Sequence, residues 1–346
     1  MTNDFYSLLK TFSKIRSPWL RNAGVLAFYL LRKRYVGLYL DPALTCNLKC
    51  MMCYFSSEAY RHPDRTQLAL DDYRHMADAI FHRVLKLQIG CGAEPTMYKD
   101  LEQLVRIGKQ YGVPYISMTT NGNLLDSRRI EALADAGLNE ITLSVHGFTK
   151  STYEYLMKHA RFEVFLRLLD DLKAVKAAHP SFRLRVNYTV NEDNVEELAM
   201  LPQVFEGLKI DVLQVRPIQN LGDSAYKNFS LDKVRSCYDR VYAVLDGYRK
   251  ANGTLLIFPT KENLDALTDG KTADETSDEY VQNLTYVYAK PGCLWHDDFD
   301  YRNEKFEAYC RRTGYIKALL AGVMPFARHK GGSMYKTTKA LNYKVK

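Results

Sequence analysis

The 346-residue sequence has no internal repeats and no low-complexity tracts. It has no membrane-length apolar run at its amino end: residues 23–31 are apolar, but a bilayer-spanning helix takes about twenty such residues. It shows no signal-peptide pattern, and its seven cysteines are an odd number. Both points speak against a disulfide framework and for free thiols in a reducing cytosol. No basic motif interleaved with aromatics marks the central region, so the 25 tyrosines read as core and interface filler and no nucleic-acid partner is expected.

What is present is a chain of 39.9 kDa with 47% hydrophobic residues, enough for a large domain with an appendage or for two ordinary ones. Short apolar runs at 36–40, 85–89, 115–118, 140–145, 183–190 and 212–215 read as strands. Amphipathic stretches at 71–82, 101–110, 127–136, 162–178, 195–207 and 231–250 read as helices between and after them. Strict alternation of strand and helix predicts a parallel sheet with crossover helices, so the fold class is α/β, a partial (βα)6 barrel of TIM type. In such a barrel the loops after the strands build the site.

Charge is concentrated at the ends. The first forty residues carry a net +6 and residues 328–346 another +6, whereas the whole chain is only +8, which leaves about −4 for the rest. The amino-terminal segment interleaves its basic residues with Phe5, Leu8, Leu9, Phe12, Ile15, Trp19 and Leu20. It reads either as a helix capping the barrel or as one lying on an anionic membrane surface.

The densest chemical signal is Cys46-Asn-Leu-Lys-Cys50-Met-Met-Cys53. Structural zinc sites use four ligands, and no fourth Cys or His lies near this triplet. Three thiolates suit a four-iron cluster with one iron left open to a further ligand. A non-catalytic iron–sulfur or zinc module, acting as electron carrier or sensor, is the alternative.

The C-x3-C-x2-C spacing followed by an aromatic resembles the radical S-adenosylmethionine (radical SAM) enzymes. The resemblance implies a 4Fe-4S cluster on Cys46, Cys50 and Cys53 and S-adenosylmethionine on the open iron. It also implies a 5′-deoxyadenosyl radical that takes hydrogen from the substrate, with a flavodoxin or ferredoxin as reducing partner. It places Met52 against the adenine. Gly92-Ala93-Glu94-Pro95, after the second strand, resembles the family's Gly-Gly-Glu-Pro motif, which meets the cofactor's amino group. Ala93 departs from that pattern and fits if it keeps a negative φ. Ser144 resembles the hydroxyl that contacts the cofactor's methionine or ribose, and Asn187 and Arg216 lie where relatives place further contacts, Arg216 as a partner for the carboxylate.

Other candidates have weaker signals. Thr120-Asn121-Gly122 resembles a family turn, though Asn-Gly favours turns anywhere. His146 stands where relatives have Asp, and is a proton donor or a hydrogen-bonded structural residue. Cys91 is a thiol facing the reaction chamber or a buried small residue, and Cys237 reads as core. Near the carboxy terminus, Cys293 and Cys310 resemble the start of a SPASM or twitch extension, too poor in cysteine to hold a cubane unless His296 helps; a metal-free lid or substrate-binding element is expected there.

The domains expected are a basic amphipathic segment (1–34), a core barrel (35–258) and a carboxy-terminal extension (259–346), with residues 261–278 a surface loop. The expected location is cytoplasmic, with contact at the inner face of the membrane open through the amino-terminal segment.

Overall fold

The computed structural model describes residue 15 and residues 17–57, 66–219, 224–268 and 284–323. Helix α1 (Pro18–Leu30) leads into six parallel strands that stand side by side in chain order. These are β1 (Val36–Leu40), β2 (Val84–Ile89), β3 (Tyr115–Thr120), β4 (Glu140–Val145), β5 (Arg183–Val190) and β6 (Val212–Pro217). The crossovers run through α2 (Leu70–Ile80), α3 (Leu101–Gln110), α4 (Ser127–Asp135), α5 (Lys150–Leu156) and α6 (Phe162–Ala178). This is the α/β partial-barrel architecture that the alternation predicts.

Three parts differ from expectation. The stretch 195–207 is not one helix: a 3-10 turn (Glu196–Met200) meets a single turn, α7 (Leu201–Val204), with Pro202 at its start. After α8 (Asp232–Asn252), residues 261–268 of the expected loop form α9 (Lys261–Thr268), and the remainder of that loop lies outside the described residues.

The sheet is also wider. Strand β7 (Leu255–Ile257) adds beyond β6, β8 (Tyr286–Lys290) pairs in parallel with β1, and β9 (Cys293–Leu294) runs antiparallel to β8. Among the described carboxy-terminal residues, β8 and β9 thus extend the sheet. The described chain finishes in α10 (Phe306–Arg312) and α11 (Tyr315–Val323), the latter packed along α1. The expected basic tail, 328–346, lies outside the described residues.

The strands have two chemically different faces. Leu38, Leu40, Leu87, Ile89, Ile116, Met118, Ile141, Leu143, Leu184, Val186 and Leu213 are all but inaccessible, and burial of each such side chain contributes about 1.5–3 kcal/mol. The alternate positions carry Tyr39, Lys86, Gln88, Ser117, Thr119, Glu140, Thr142, Ser144, Arg185, Asn187, Thr189, Gln214 and Arg216. Helix α3 shows how closely the apolar layers fit: a Cβ on Gly108 would stand 2.7 Å from Ile116 Cδ1. The polar face lines the barrel's interior, where Tyr115 Oη donates to Glu140 Oε2 at 3.0 Å and Lys86 Nζ lies 5.7 Å over the Tyr115 ring. Burial holds the Lys86 ammonium down at about 8, against the upward pull of Glu140.

Candidate active site

A cavity of about 220 Å³ opens at the carboxyl ends of the strands. Cys46, Cys50 and Cys53 line it, together with Met52, Cys91, Gly92, Ala93, Glu94, Ser144, His146 and Arg216. Two expected residues are not in the lining. Pro95 is buried behind it, and Asn187 sits lower in the barrel, where its Oδ1 accepts from Arg185 Nε at 3.1 Å. Thr189, two residues further along β5, takes the rim position beside Arg216.

The cysteine loop follows β1 and is pinned along its length. Lys49 and Met51 donate backbone N–H groups to the carbonyls of Lys158 and Leu156, and Tyr226 donates to Met51 O. Asn121 Nδ2 reaches Asn47 Oδ1 at 2.8 Å, and Asn191 Nδ2 approaches Met52 Sδ at 3.0 Å. Burial, then the nearness of Cys53 and Cys46, pushes the Cys50 thiol well up. A thiolate so placed is stabilised by a cation beside it. Among the described residues no three His, Cys, Asp or Glu side chains converge as the ligands of one ion would. Cys46, Cys50 and Cys53 nonetheless line one cavity, and three thiolates, each on a different iron, fit a cluster with one iron open to a further ligand, where a structural zinc takes four.

The loop after β2 is shaped by backbone demands. Gly90 takes φ +78°, and a Cβ there would meet Thr119 O at 2.4 Å. Positive φ outside glycine is confined, among the described residues, to Arg32, His159 and Trp295, so Ala93 keeps negative φ as its place in the motif requires. Glu94 is buried and receives four hydrogen bonds. Oε1 accepts from Thr96 N, Thr96 Oγ1 and Thr120 Oγ1, and Oε2 from Asn121 N at 2.8 Å. Burial raises its carboxyl and these donors oppose the rise. Oε2 keeps a lone pair for a further donor. The Thr120-Asn121-Gly122 turn therefore does more than reverse the chain, since it holds Glu94.

Asp41, at the end of β1, escaped the sequence reading. Its Oδ1 accepts from the backbone N–H groups of Cys91 at 2.7 Å, Gly92 at 3.0 Å and Ala93 at 3.3 Å. A single acid after a strand has no spacing that announces such a role. Burial among these donors, at 1% exposure, makes it the residue that fixes the loop.

His146 follows β4. Its Nδ1 accepts from Thr189 N at 3.2 Å, so the neutral ring carries its proton on Nε2. Burial, then Arg216, brings its pKa down to about 4. It is therefore a neutral, hydrogen-bonded side chain near pH 7, not an imidazolium acid. Cys91 Sγ lies 3.9 Å from Tyr286 Oη, whose ring stacks on Tyr39 at 4.1 Å.

The two carboxy-terminal cysteines do not line this cavity. Cys293 Sγ donates to Asp297 at 3.4 Å, and Cys310 is fully buried near Tyr29, Tyr35 and Tyr315. His296 stacks beside Trp295. Cys237 is buried in α8, as expected of a core residue.

The sequence-family model of the radical SAM superfamily matches residues 42–201. A probable GTP 3′,8-cyclase of Saccharolobus islandicus is 29% identical over 185 residues, 53% of this chain and 57% of that protein. The GTP 3′,8-cyclase of Aquifex aeolicus is 31% identical over 166 residues, 44% of this chain and 48% of its own length. The chain thus spans about half the length of these curated relatives. Streptococcus suis SuiB, solved with S-adenosylmethionine, has a similar fold (TM-score 0.57, 18% identity, 74% of this chain and 58% of that one). So does anSMEcpe, solved with AdoMet and a peptide (TM-score 0.56, 15% identity, 83% of each chain).

Proposed function

Because residues 42–201 belong to the radical SAM superfamily, whose members bind a 4Fe-4S cluster and S-adenosylmethionine, we propose that the whole chain is a radical SAM enzyme with Cys46, Cys50 and Cys53 as its cluster ligands. The observation that carries this is the meeting of three thiols, the Glu94 loop, Ser144 and Arg216 around one cavity at the carboxyl ends of the strands. When bound, the two cofactors supply one-electron cleavage of a carbon–sulfur bond and, from it, hydrogen abstraction from an unactivated carbon.

The protein's own part is to bind, orient and exclude. Glu94 Oε2, held by Asn121 N, offers an acceptor to the cofactor's ammonium, and the Arg216 guanidinium offers a matching fork to its carboxylate. Met52 supplies an apolar, polarisable wall for the adenine, with its sulfur steadied by Asn191. Ser144 at the end of β4 donates to the ribose or methionine part. His146, neutral, presents an N–H donor without adding positive charge beside Arg216.

Enzymes of this class need an external reductant, and a flavodoxin or ferredoxin is the partner proposed. For the substrate we favour a cell-envelope lipid or sugar intermediate, handled at the inner face of a membrane, because the basic and apolar amino end suits such a place. A peptide or protein side chain is the alternative, and the fold shared with peptide-bound anSMEcpe keeps it in view.

Anaerobic reconstitution with iron and sulfide tests the ligand assignment. The wild type should take up about four irons per chain and a triple Cys46→Ala, Cys50→Ala, Cys53→Ala variant almost none. Equal uptake by the two proteins would remove the assignment.

A further inference from the structure

Two side-chain amides inside the barrel have committed oxygens and uncommitted nitrogens. Asn187 on β5 and Gln214 on β6 stand opposite each other in the strand register. Arg185 donates from Nε to Asn187 Oδ1 at 3.1 Å and from Nη2 to Gln214 Oε1. A guanidinium donates and never accepts, so these bonds fix which way round each amide lies. Asn187 Nδ2 and Gln214 Nε2 are turned away from Arg185, and no described residue accepts from either. Both residues are only 7% exposed. The outward residues of the same strands, Leu184, Val186, Tyr188, Leu213 and Val215, are sealed at 1% exposure or less, so what remains accessible of the amides faces the interior. A buried donor without an acceptor costs free energy, and two side by side call for a ligand.

The surroundings of the pair have the same polarity. Ser144, opposite Asn187 in the register, lines the cavity, so the amides continue the cavity's floor. On the other wall Ser117 Oγ donates to Gln88 Oε1 at 2.7 Å, and Gln88 Nε2 donates to Thr119 Oγ1 at 2.8 Å. That order leaves the Thr119 hydroxyl as a donor toward the cavity it lines. The interior thus offers donors while the amide oxygens of Gln88, Asn187 and Gln214 are all taken. Charge agrees: among the inward positions of β1–β6, Lys86, Arg183, Arg185 and Arg216 are cations, and Glu140, which accepts from Tyr115, is the carboxylate.

We propose that Asn187 and Gln214, held by Arg185, form an anion subsite at the floor of the cavity, which takes a carboxylate or phosphate group of the substrate. The two amide nitrogens serve two oxygens of such a group, and the guanidinium behind them adds its charge. An apolar group would leave both amides unpaired, and an ammonium group would meet the cations. That the bound group belongs to the substrate rests on the radical SAM reading, which it narrows to molecules with an anionic oxygen group. It also gives Asn187 a role other than the cofactor contact expected of it.

Titration calorimetry of the full-length, cofactor-free chain reads the subsite, with acetate, inorganic phosphate and neutral acetamide as probes. The tighter of the two anions tells a carboxylate site from a phosphate site, and acetamide is expected to bind at least tenfold more weakly than that anion. Gln214→Glu keeps the oxygen that Arg185 needs and loses the donor, so its circular dichroism should hold while the anion binds at least tenfold more weakly. Asn187→Asp should act in the same direction. Gln214→Met, which adds no charge, is the second variant should Gln214→Glu not fold, and is expected to weaken binding roughly fivefold. The proposal is overturned if the wild type binds neither anion, or if acetamide binds as tightly. It is also overturned if the folded variants bind as well as wild type, as they would were Arg216 alone to hold the anion. The titration needs neither cluster nor S-adenosylmethionine. Release of 5′-deoxyadenosine without anion binding would therefore sink the subsite and leave the proposed function standing, and anion binding without that release would do the reverse.

Discussion

The Tyr288 hydroxyl donates to Asp41 Oδ2 at 2.7 Å. Tyr288 is on β8, far along the chain, and Asp41 closes the turn of Cys91, Gly92 and Ala93 with its other oxygen. A residue of the carboxy-terminal strand thus helps to set the loop that the proposed cofactor meets. Asp41→Ala leaves three backbone N–H groups without their acceptor. Hydrogen bonds to a charged group contribute about 1.5–3 kcal/mol each, so at least a tenfold loss of S-adenosylmethionine affinity is expected. Tyr288→Phe removes one donor to the same carboxylate and should cost about 1.5 kcal/mol, or roughly tenfold. Equilibrium dialysis of anaerobically reconstituted protein measures both, and an Asp41→Ala protein that binds like wild type would count against the role.

Met52→Ala should separate cofactor binding from cluster binding. The side chain lines the cavity but is no thiolate, so iron content is expected to match wild type while S-adenosylmethionine affinity falls by about fivefold, the equivalent of roughly 1 kcal/mol. Iron analysis beside the binding isotherm decides, and a parallel loss of both would contradict the separation.

His146 predicts a pH dependence of stability. Its pKa is about 4 in the folded chain and 6.5 without the fold. Between those values the unfolded chain holds a proton that the folded one does not, so stability rises with pH through that window and falls as the pH drops from 6.5 towards 4. In His146→Asn the thermal midpoint should change less over that range than in wild type. Parallel curves for the two proteins would show that the ring is not the neutral, buried group described.

Glu307 on α10 predicts a second acid limb. Burial raises its carboxyl, but hydrogen bonds from His82 and Arg83 outweigh that and bring it down to about 2. With a folded value below the unfolded 4.5, its contribution is complete above pH 4.5 and is lost as pH falls towards 2. Glu307→Gln leaves the Arg83 guanidinium, 1% exposed, without its anion. The expected cost is about 2 kcal/mol at neutral pH. Urea titration at pH 7 and pH 3 checks it, since the gap between variant and wild type should narrow at the lower value.

The sequence foretold the centre of the fold better than its edges. Runs such as 140–145 and 183–190 alternate a fully apolar face with a polar one, and Gly90 or Gly253 marks where a strand or helix must stop. The three cysteines and Glu94 are legible because each falls in a short motif of fixed spacing. Asp41 is not, because its partners are backbone groups that no side-chain pattern encodes. Strand β8 reads Tyr-Val-Tyr-Ala-Lys, a two-residue alternation, but its partner is β1, some 250 residues earlier, and such a pairing leaves no local mark. The stretch 195–207 has a helical pattern that Pro202 divides, while Asn194 Oδ1 and the Asn191 turn draw its start elsewhere.

Dithionite-reduced, reconstituted protein mixed with S-adenosylmethionine, followed by chromatography for 5′-deoxyadenosine, tests the central claim most directly. The wild type is expected to release 5′-deoxyadenosine without any substrate, and the triple cysteine variant none. Release from neither protein, with about four irons bound to the wild type, would mean that the site holds a cluster for another purpose, as an electron carrier or sensor would.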